Sequence, residues 1–165
     1  MRKVLKNEKG FTLIELLAVI VILGVLMIIA IPMVTKFIEQ ARRDSFVSTV
    51  KAYIDGARYM YLNDELSGTS GCSIGKSATI PISSIQVDNA GKSPFGGDLK
   101  GYITITAAEE TDFAGNPTYT YTYYATIQDS SKKWGVFNVQ EQNLKRKEVK
   151  QDSSKTIADG SLTCS

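Results

Sequence analysis

The chain of 165 residues contains no histidine. That excludes Ser-His-Asp and Cys-His catalysis and the histidine-based zinc motifs. It has two cysteines, Cys72 and Cys164, too far apart for any metal-ligand spacing. Charge of one sign is also missing. The first ten residues hold four of the 19 basic side chains (Arg2, Lys3, Lys6, Lys9) and one of the 17 acidic ones (Glu8). The remainder is close to neutral and slightly acidic, so the basic pI of the whole chain does not point to nucleic acid. With its usual chemistry removed, an enzyme is not expected, nor is a cofactor or a metal site.

One thing is present in excess. From Leu16 to Ile31 every residue is apolar or is Gly24, and Phe11, Leu13 and Ile14 extend the run. As a helix, Phe11 to Pro32 would span roughly 33 Å, about one hydrocarbon core. A secretory signal peptide has a shorter apolar region followed by a small-residue cleavage site; this run is too long, and no such site follows it. A plain single-pass anchor with its basic end inside the cell fits the length. It leaves Glu15 unexplained, because a carboxylate in hydrocarbon costs roughly 2.5–3.5 kcal/mol on insertion scales.

Gly10-Phe11-Thr12-Leu13-Ile14-Glu15, behind a short basic leader and ahead of an uninterrupted apolar helix, resembles the signal of type IV pilins and the related pseudopilins. The resemblance is close over Met1 to Pro32; beyond that it is one of layout. It implies that a prepilin peptidase cuts between Gly10 and Phe11, on the cytoplasmic side, and methylates the new amine of Phe11. Glu15 then lies one helical turn from a cationic amine. At about 4 Å such a pair attracts by roughly 4 kcal/mol at an effective dielectric near 20, a gross value that desolvation opposes. The amine is that of the same chain or of a neighbour. The resemblance implies the neighbour's, which would set register as subunits add. It also implies that the region from Gly24 to Pro32 loses helix on assembly; Pro32 by itself predicts a kink or local unwinding.

The expected organisation is a leader over 1–10, a membrane and filament-core helix over 11–35, and a globular domain over 36–165. The helix is expected to continue to about Leu62, roughly 75–80 Å in all. Val47, Val50, Ile54, Ala57 and Tyr61 would form one buried stripe, and Asn63-Asp64 and Ser67-Gly68 the stop. A long connection follows from Thr69 to Leu99, with a short strand within Thr79 to Val87 and a turn at Ser93–Gly97. Strands are expected at Gly101–Ala107, Thr118–Gln128 and Trp134–Val139. The predicted fold is therefore α+β: a long N-terminal helix whose second half packs on a small antiparallel sheet of three to four strands.

Tyr119, Tyr121, Tyr123, Ala125 and Ile127 share a strand face, read as core rather than as a base-stacking platform. Asp112–Pro117 reads as a turn rather than a calcium loop. Lys145, Arg146, Lys147 and Lys150 form a basic cluster diluted by Glu141, Glu148 and Asp152, so a nucleic-acid partner is not expected. Export across the membrane would put Cys72 and Cys164 where a disulfide forms. The implied function is a pilus subunit for adhesion, motility or biofilm, with a secretion pseudopilin or a DNA-uptake pilin as the alternatives. The implied partners are other pilins in a homopolymer, the prepilin peptidase, an assembly ATPase, a platform membrane protein and, before assembly, the lipid bilayer. The implied location is the cytoplasmic membrane, then the cell-surface filament.

Overall fold

The computed structural model describes residues 10–63, 72–73, 75–88 and 91–165. The basic leader before Gly10, and the stop expected at Asp64 and Ser67-Gly68, lie outside the described residues. The elements are α1 (Leu13–Leu62), β1 (Ala78–Pro81), β2 (Leu99–Thr111), β3 (Pro117–Asp129), β4 (Trp134–Gln140), β5 (Lys150–Gln151) and β6 (Thr163–Cys164). The chain divides into two compact units, one ending at Glu39 and one covering Gln40–Ser165.

In the first unit the chain is helical from Leu13 onward. The helix runs unbroken through Gly24 and Pro32, so local unwinding there is not a property of the isolated chain. Proline removes one backbone donor and clashes with the preceding turn, but the helix tolerates it here. Thr35 Oγ1–H donates to the Pro32 carbonyl (3.1 Å). Every described side chain of this unit is exposed, and the helix is long and apolar enough to cross a membrane.

The second unit is α+β. Phe46, Val50, Tyr53, Ile54, Ala57 and Tyr61 form the buried stripe of α1, at the three- and four-residue spacing of one helix face. They share a core with Ile80, Ile103, Ile105, Ala125, Ile127 and Val136 from the sheet. The antiparallel sheet has six strands in the order β5-β4-β3-β2-β1-β6, more than the three to four expected. The two additions, β5 and β6, are two residues each and carry no periodicity to read. β2 and β3 are each 13 residues, longer than expected. The outer end of β2 beyond Ala107, with Glu109 and Glu110, is exposed and largely polar, so no apolar alternation marks it.

A buried carboxylate joins the parts. Asp129 ends β3 and is fully buried. Its Oδ1 accepts from the Ser131 and Lys132 N–H groups (3.1 and 2.6 Å) and from Ser131 Oγ (2.9 Å). Its Oδ2 accepts from Gly97 N–H (3.0 Å). A Cβ on Gly97 would sit 2.6 Å from that oxygen, so glycine is what lets the 93–97 turn close on the β3–β4 hairpin. The turn buries Phe95, which stacks on Trp134 (5.1 Å between centroids) and tilts against Phe46 of α1 (5.8 Å). The Arg43 guanidinium covers the Trp134 ring at 4.3 Å, a cation–π contact.

From Asp152 the chain crosses the sheet from the β5 edge to the β6 edge. The buried Gln128 side chain donates to the Asp152 carbonyl (3.0 Å) and accepts from Ile157 N–H (3.1 Å). Gly101 N–H donates to Asp159 Oδ1 (3.1 Å). The crossing ends at β6, where Cys164 is bonded to Cys72, 92 positions away, with Cα atoms 5.2 Å apart.

Burial pushes the Asp129 carboxyl up, but its hydrogen bonds, led by the Lys132 N–H, outweigh burial and hold it below the ordinary carboxylate range. A depressed folded pKa contributes stability that is present above the unfolded value, near 3.9, and lost as pH falls through the folded one. The expected result is that Asp129→Asn destabilises the chain by about 1–3 kcal/mol at neutral pH. Thermal melting of the full chain in detergent should also show a smaller loss of stability on acidification below about pH 4 in this variant than in the wild type. Reducing the disulfide is expected to cost roughly 4–5 kcal/mol in the chain-entropy account, read as a lower denaturant midpoint.

Candidate functional site

The scissile bond inferred between Gly10 and Phe11 lies in non-helical backbone, just ahead of α1. Phe11 is 92% exposed. Among the described residues, chain neighbours apart, no atom lies within 4 Å of where a Gly10 Cβ would stand, so none of them demands glycine at this position.

Thr12 and Glu15 are locked together. Thr12 N–H and Thr12 Oγ1–H both donate to Glu15 Oε2 (2.8 Å each), and Glu15 N–H donates back to Thr12 Oγ1 (3.3 Å). With Leu13 as the first helical residue, this is a reciprocal capping box. It satisfies amide groups that the start of a helix leaves without partners. Both residues follow the inferred cleavage point, so a cut there would leave the box intact.

The box also shows what Glu15 has left to give. A carboxylate can accept about four hydrogen bonds over its two oxygens. Oε2 is occupied, whereas Oε1 takes no hydrogen bond among the described residues. Glu15 can cap its own helix and still receive a cation. The spacing Thr-x-x-Glu was visible in the sequence as a helix-start signal, and the role of Thr12 could have been read from it.

Behind this polar start comes an uncovered apolar surface. Leu13, Ile14, Leu16, Leu17 and their successors to Ile38 are all exposed in the isolated chain. Exposed apolar area of this extent marks a surface that is covered in use, by lipid or by protein. Gly24 and Pro32 both lie on this stretch, and a Cβ on Gly24 would meet no atom within 4 Å.

The other singled-out residues lie in the second unit and do not converge on a chemical site. Arg146 clamps Asp44 of α1 through its Nε (2.6 Å) and a second nitrogen. Lys147 and Lys150 face Glu148 at 3.9 and 3.5 Å. The basic cluster is thus partly spent on the protein's own carboxylates. Of the tyrosine face, Tyr123 is buried, Tyr121 half-buried and Tyr119 exposed. Tyr121 meets Tyr61 edge-on at 5.2 Å. The Asp112–Asn116 stretch is a hairpin turn in which Asp112 Oδ1 accepts from the Ala114 and Asn116 N–H groups (2.8 Å each). No group of acidic or cysteine side chains able to hold a metal ion occurs among the described residues.

Comparison with known proteins bears on the N-terminal segment. The family described as the prokaryotic N-terminal methylation motif matches residues 5–31. ComG operon protein 3 homolog of Bacillus licheniformis is 41% identical over 51 residues, which is 29% of this chain and 53% of that protein. The match thus spans about half the length of that curated relative. No solved structure matches the chain. The two similarities bear out the resemblance drawn from Gly10 to Glu15.

The capping box has a measurable consequence. Thr12→Ala removes the hydroxyl and is expected to cost the helix start about 0.5–2 kcal/mol. Amide exchange at Glu15 and its neighbours, followed by NMR in detergent micelles, should accelerate in Thr12→Ala and stay near wild type in Thr12→Ser.

Proposed function

We propose, for a chain whose N-terminal segment resembles that of the type IV pilin and pseudopilin superfamily, that it is a structural subunit of a type IV pilus. The observation that carries this reading is the join of two features. A capped, exposed cleavage segment at Gly10-Phe11 leads directly into an apolar helix surface with no cover of its own. A plain membrane anchor explains the second feature but not the first.

The steps follow from the residues. The precursor sits in the cytoplasmic membrane with its basic leader inside. A prepilin peptidase cuts between Gly10 and Phe11, and the Phe11 amine is methylated. An assembly ATPase and a platform membrane protein draw the subunit out of the bilayer. The apolar helix exchanges lipid for the helices of other copies, so little of that surface meets water. Glu15 receives a terminal amine through its open Oε1 while Thr12 keeps the helix start closed. In the polymer the stretch from Gly24 to Pro32 gives up helix that the isolated chain retains. The leader (1–10), core helix (11–35) and globular domain (36–165) are the functional divisions of the precursor. The finished filament stands on the cell surface and serves adhesion, motility or biofilm.

A second reading is a DNA-uptake pilin or a secretion pseudopilin, since the match to ComG operon protein 3 homolog is not a match to a named pilus subunit. For DNA, Arg146 is held by Asp44, and the single carboxylate of Glu148 beside Lys147 and Lys150 partly offsets their attraction for phosphates.

Mass spectrometry of protein sheared from cells tests the proposal. A chain that starts at methylated Phe11 in the sheared fraction is the expected result. A chain that starts at Met1 and stays in the membrane contradicts it. Glu15→Ala is expected to cut filament yield at least ten-fold while leaving cleavage intact, and normal piliation in that variant would remove its register role. Gly10→Ser should leave the precursor uncut; because the chain has room for the side chain, a fold defect would not account for the block.

A further inference from the structure

We propose that the tip of the β2–β3 hairpin in one copy seats, through Phe113, in the basic concavity beside β4 of a second copy. The proposal rests on the filament reading and specifies one of its contacts.

The hairpin outgrows the sheet. β1 pairs with β2 only as far as Ile105, and β4 pairs with β3 only as far as Tyr124. Beyond those points no other strand pairs with β2 or β3 among the described residues, and the two stay in register with each other to Thr111↔Pro117. All residues from Ala108 to Thr120 are exposed. At the tip, Phe113 is wholly exposed, although the turn that holds it is closed by backbone bonds from Asp112 to Asn116 (2.9 Å) and from Gly115 to Asp112 (3.0 Å). An aromatic ring held by an ordered turn has little conformational entropy left to lose on docking. The arm is also charged in one sense. Glu109, Glu110 and Asp112 are its ionisable side chains, with no basic residue from Ala108 to Thr120. Neither Glu109 nor Glu110 has a cationic partner among the described residues.

The receiving surface is net basic. Beside β4 lies a concavity of about 440 Å³ whose lining includes Tyr124, Phe137, Lys145, Lys147 and Glu148. A second, of about 330 Å³, shares Phe137 and adds Lys150 and Lys155. Lys155 Nζ stands 4.7 Å over the Phe137 ring. Glu148 and Asp152 partly offset the four lysines, and Lys145 has no carboxylate partner among the described residues. An aromatic floor with a basic rim suits an aromatic tip on an acidic arm: the ring gives the contact and the charges give its orientation.

The contact cannot form within one copy. Tyr124 lines the concavity, and seven residues of extended β3, about 24 Å, separate it from Pro117 at the base of the tip. Tip and concavity are different patches, so copies can be joined head to tail; repeated with a rotation that does not close, such a contact builds an open chain, the arrangement a filament requires.

The test replaces Phe113 with photoactivatable p-benzoylphenylalanine in the full chain, in cells that assemble it, and maps the adducts after irradiation. The expected adduct joins position 113 to a peptide within residues 137–147 of another copy. Lys145→Glu with Lys147→Glu should lower its yield at least ten-fold. Adding Glu109→Lys and Glu110→Lys should restore at least half. An intact Cys72–Cys164 bond on non-reducing gels reports that each variant has folded. Filaments of normal yield whose adducts map elsewhere, or an adduct indifferent to the lysine changes, overturn the docking and leave the filament reading standing. If the unaltered chain gives no polymer beginning at Phe11, the filament reading falls and the docking falls with it.

Discussion

From Leu13 to Ile38 the helix carries apolar side chains on every face, and among the described residues nothing covers them. Water is a poor solvent for that surface at roughly 25 cal/mol per Å², so its environment must be supplied from outside. In the proposed function lipid supplies it for the precursor. Neighbouring copies of the same helix supply it in the proposed polymer. The cost of moving between the two is small because both are apolar. The polar groups at the start of the helix are then the only ones with something to lose. The Thr12–Glu15 box limits that loss by keeping the first amides paired whichever environment the helix occupies.

The second unit is organised around the part of α1 that does find cover. Six residues from Phe46 to Tyr61 form one face, and the sheet closes over it. A single carboxylate, Asp129, holds the β3–β4 hairpin and the 93–97 turn in one arrangement. That turn in turn presses Phe95 between Phe46 and Trp134. Burying a charge is tolerated here because amides and a hydroxyl surround it.

Much of this was legible in the residues. The helix, its buried stripe and the three central strands follow from periods of 3.6 and 2. Phe46 and Tyr53 escaped the stripe as first drawn because it was centred on Val47 and Ile54, one position away on the wheel. β5 and β6 could not be read, since two residues hold no period and their place depends on where the C-terminal crossing happens to meet an edge. Asp129 carries no local mark of burial in the sequence; one of its partners is Gly97, 32 positions earlier. At the N-terminus the Thr-x-x-Glu spacing marks the helix start, and Thr12 is the nearer partner of Glu15.

The disulfide gives the molecule a load path. All six strands up to Thr163 lie inside the covalent loop that joins Cys72 to Cys164. Tension applied between the helix and the C-terminal residue would pass from the backbone before Cys72 through the sulfur bridge and out at Ser165. That covalent route bypasses β1 to β5. In a fibre of such subunits the bridge would cap how far those strands could be drawn apart along that line.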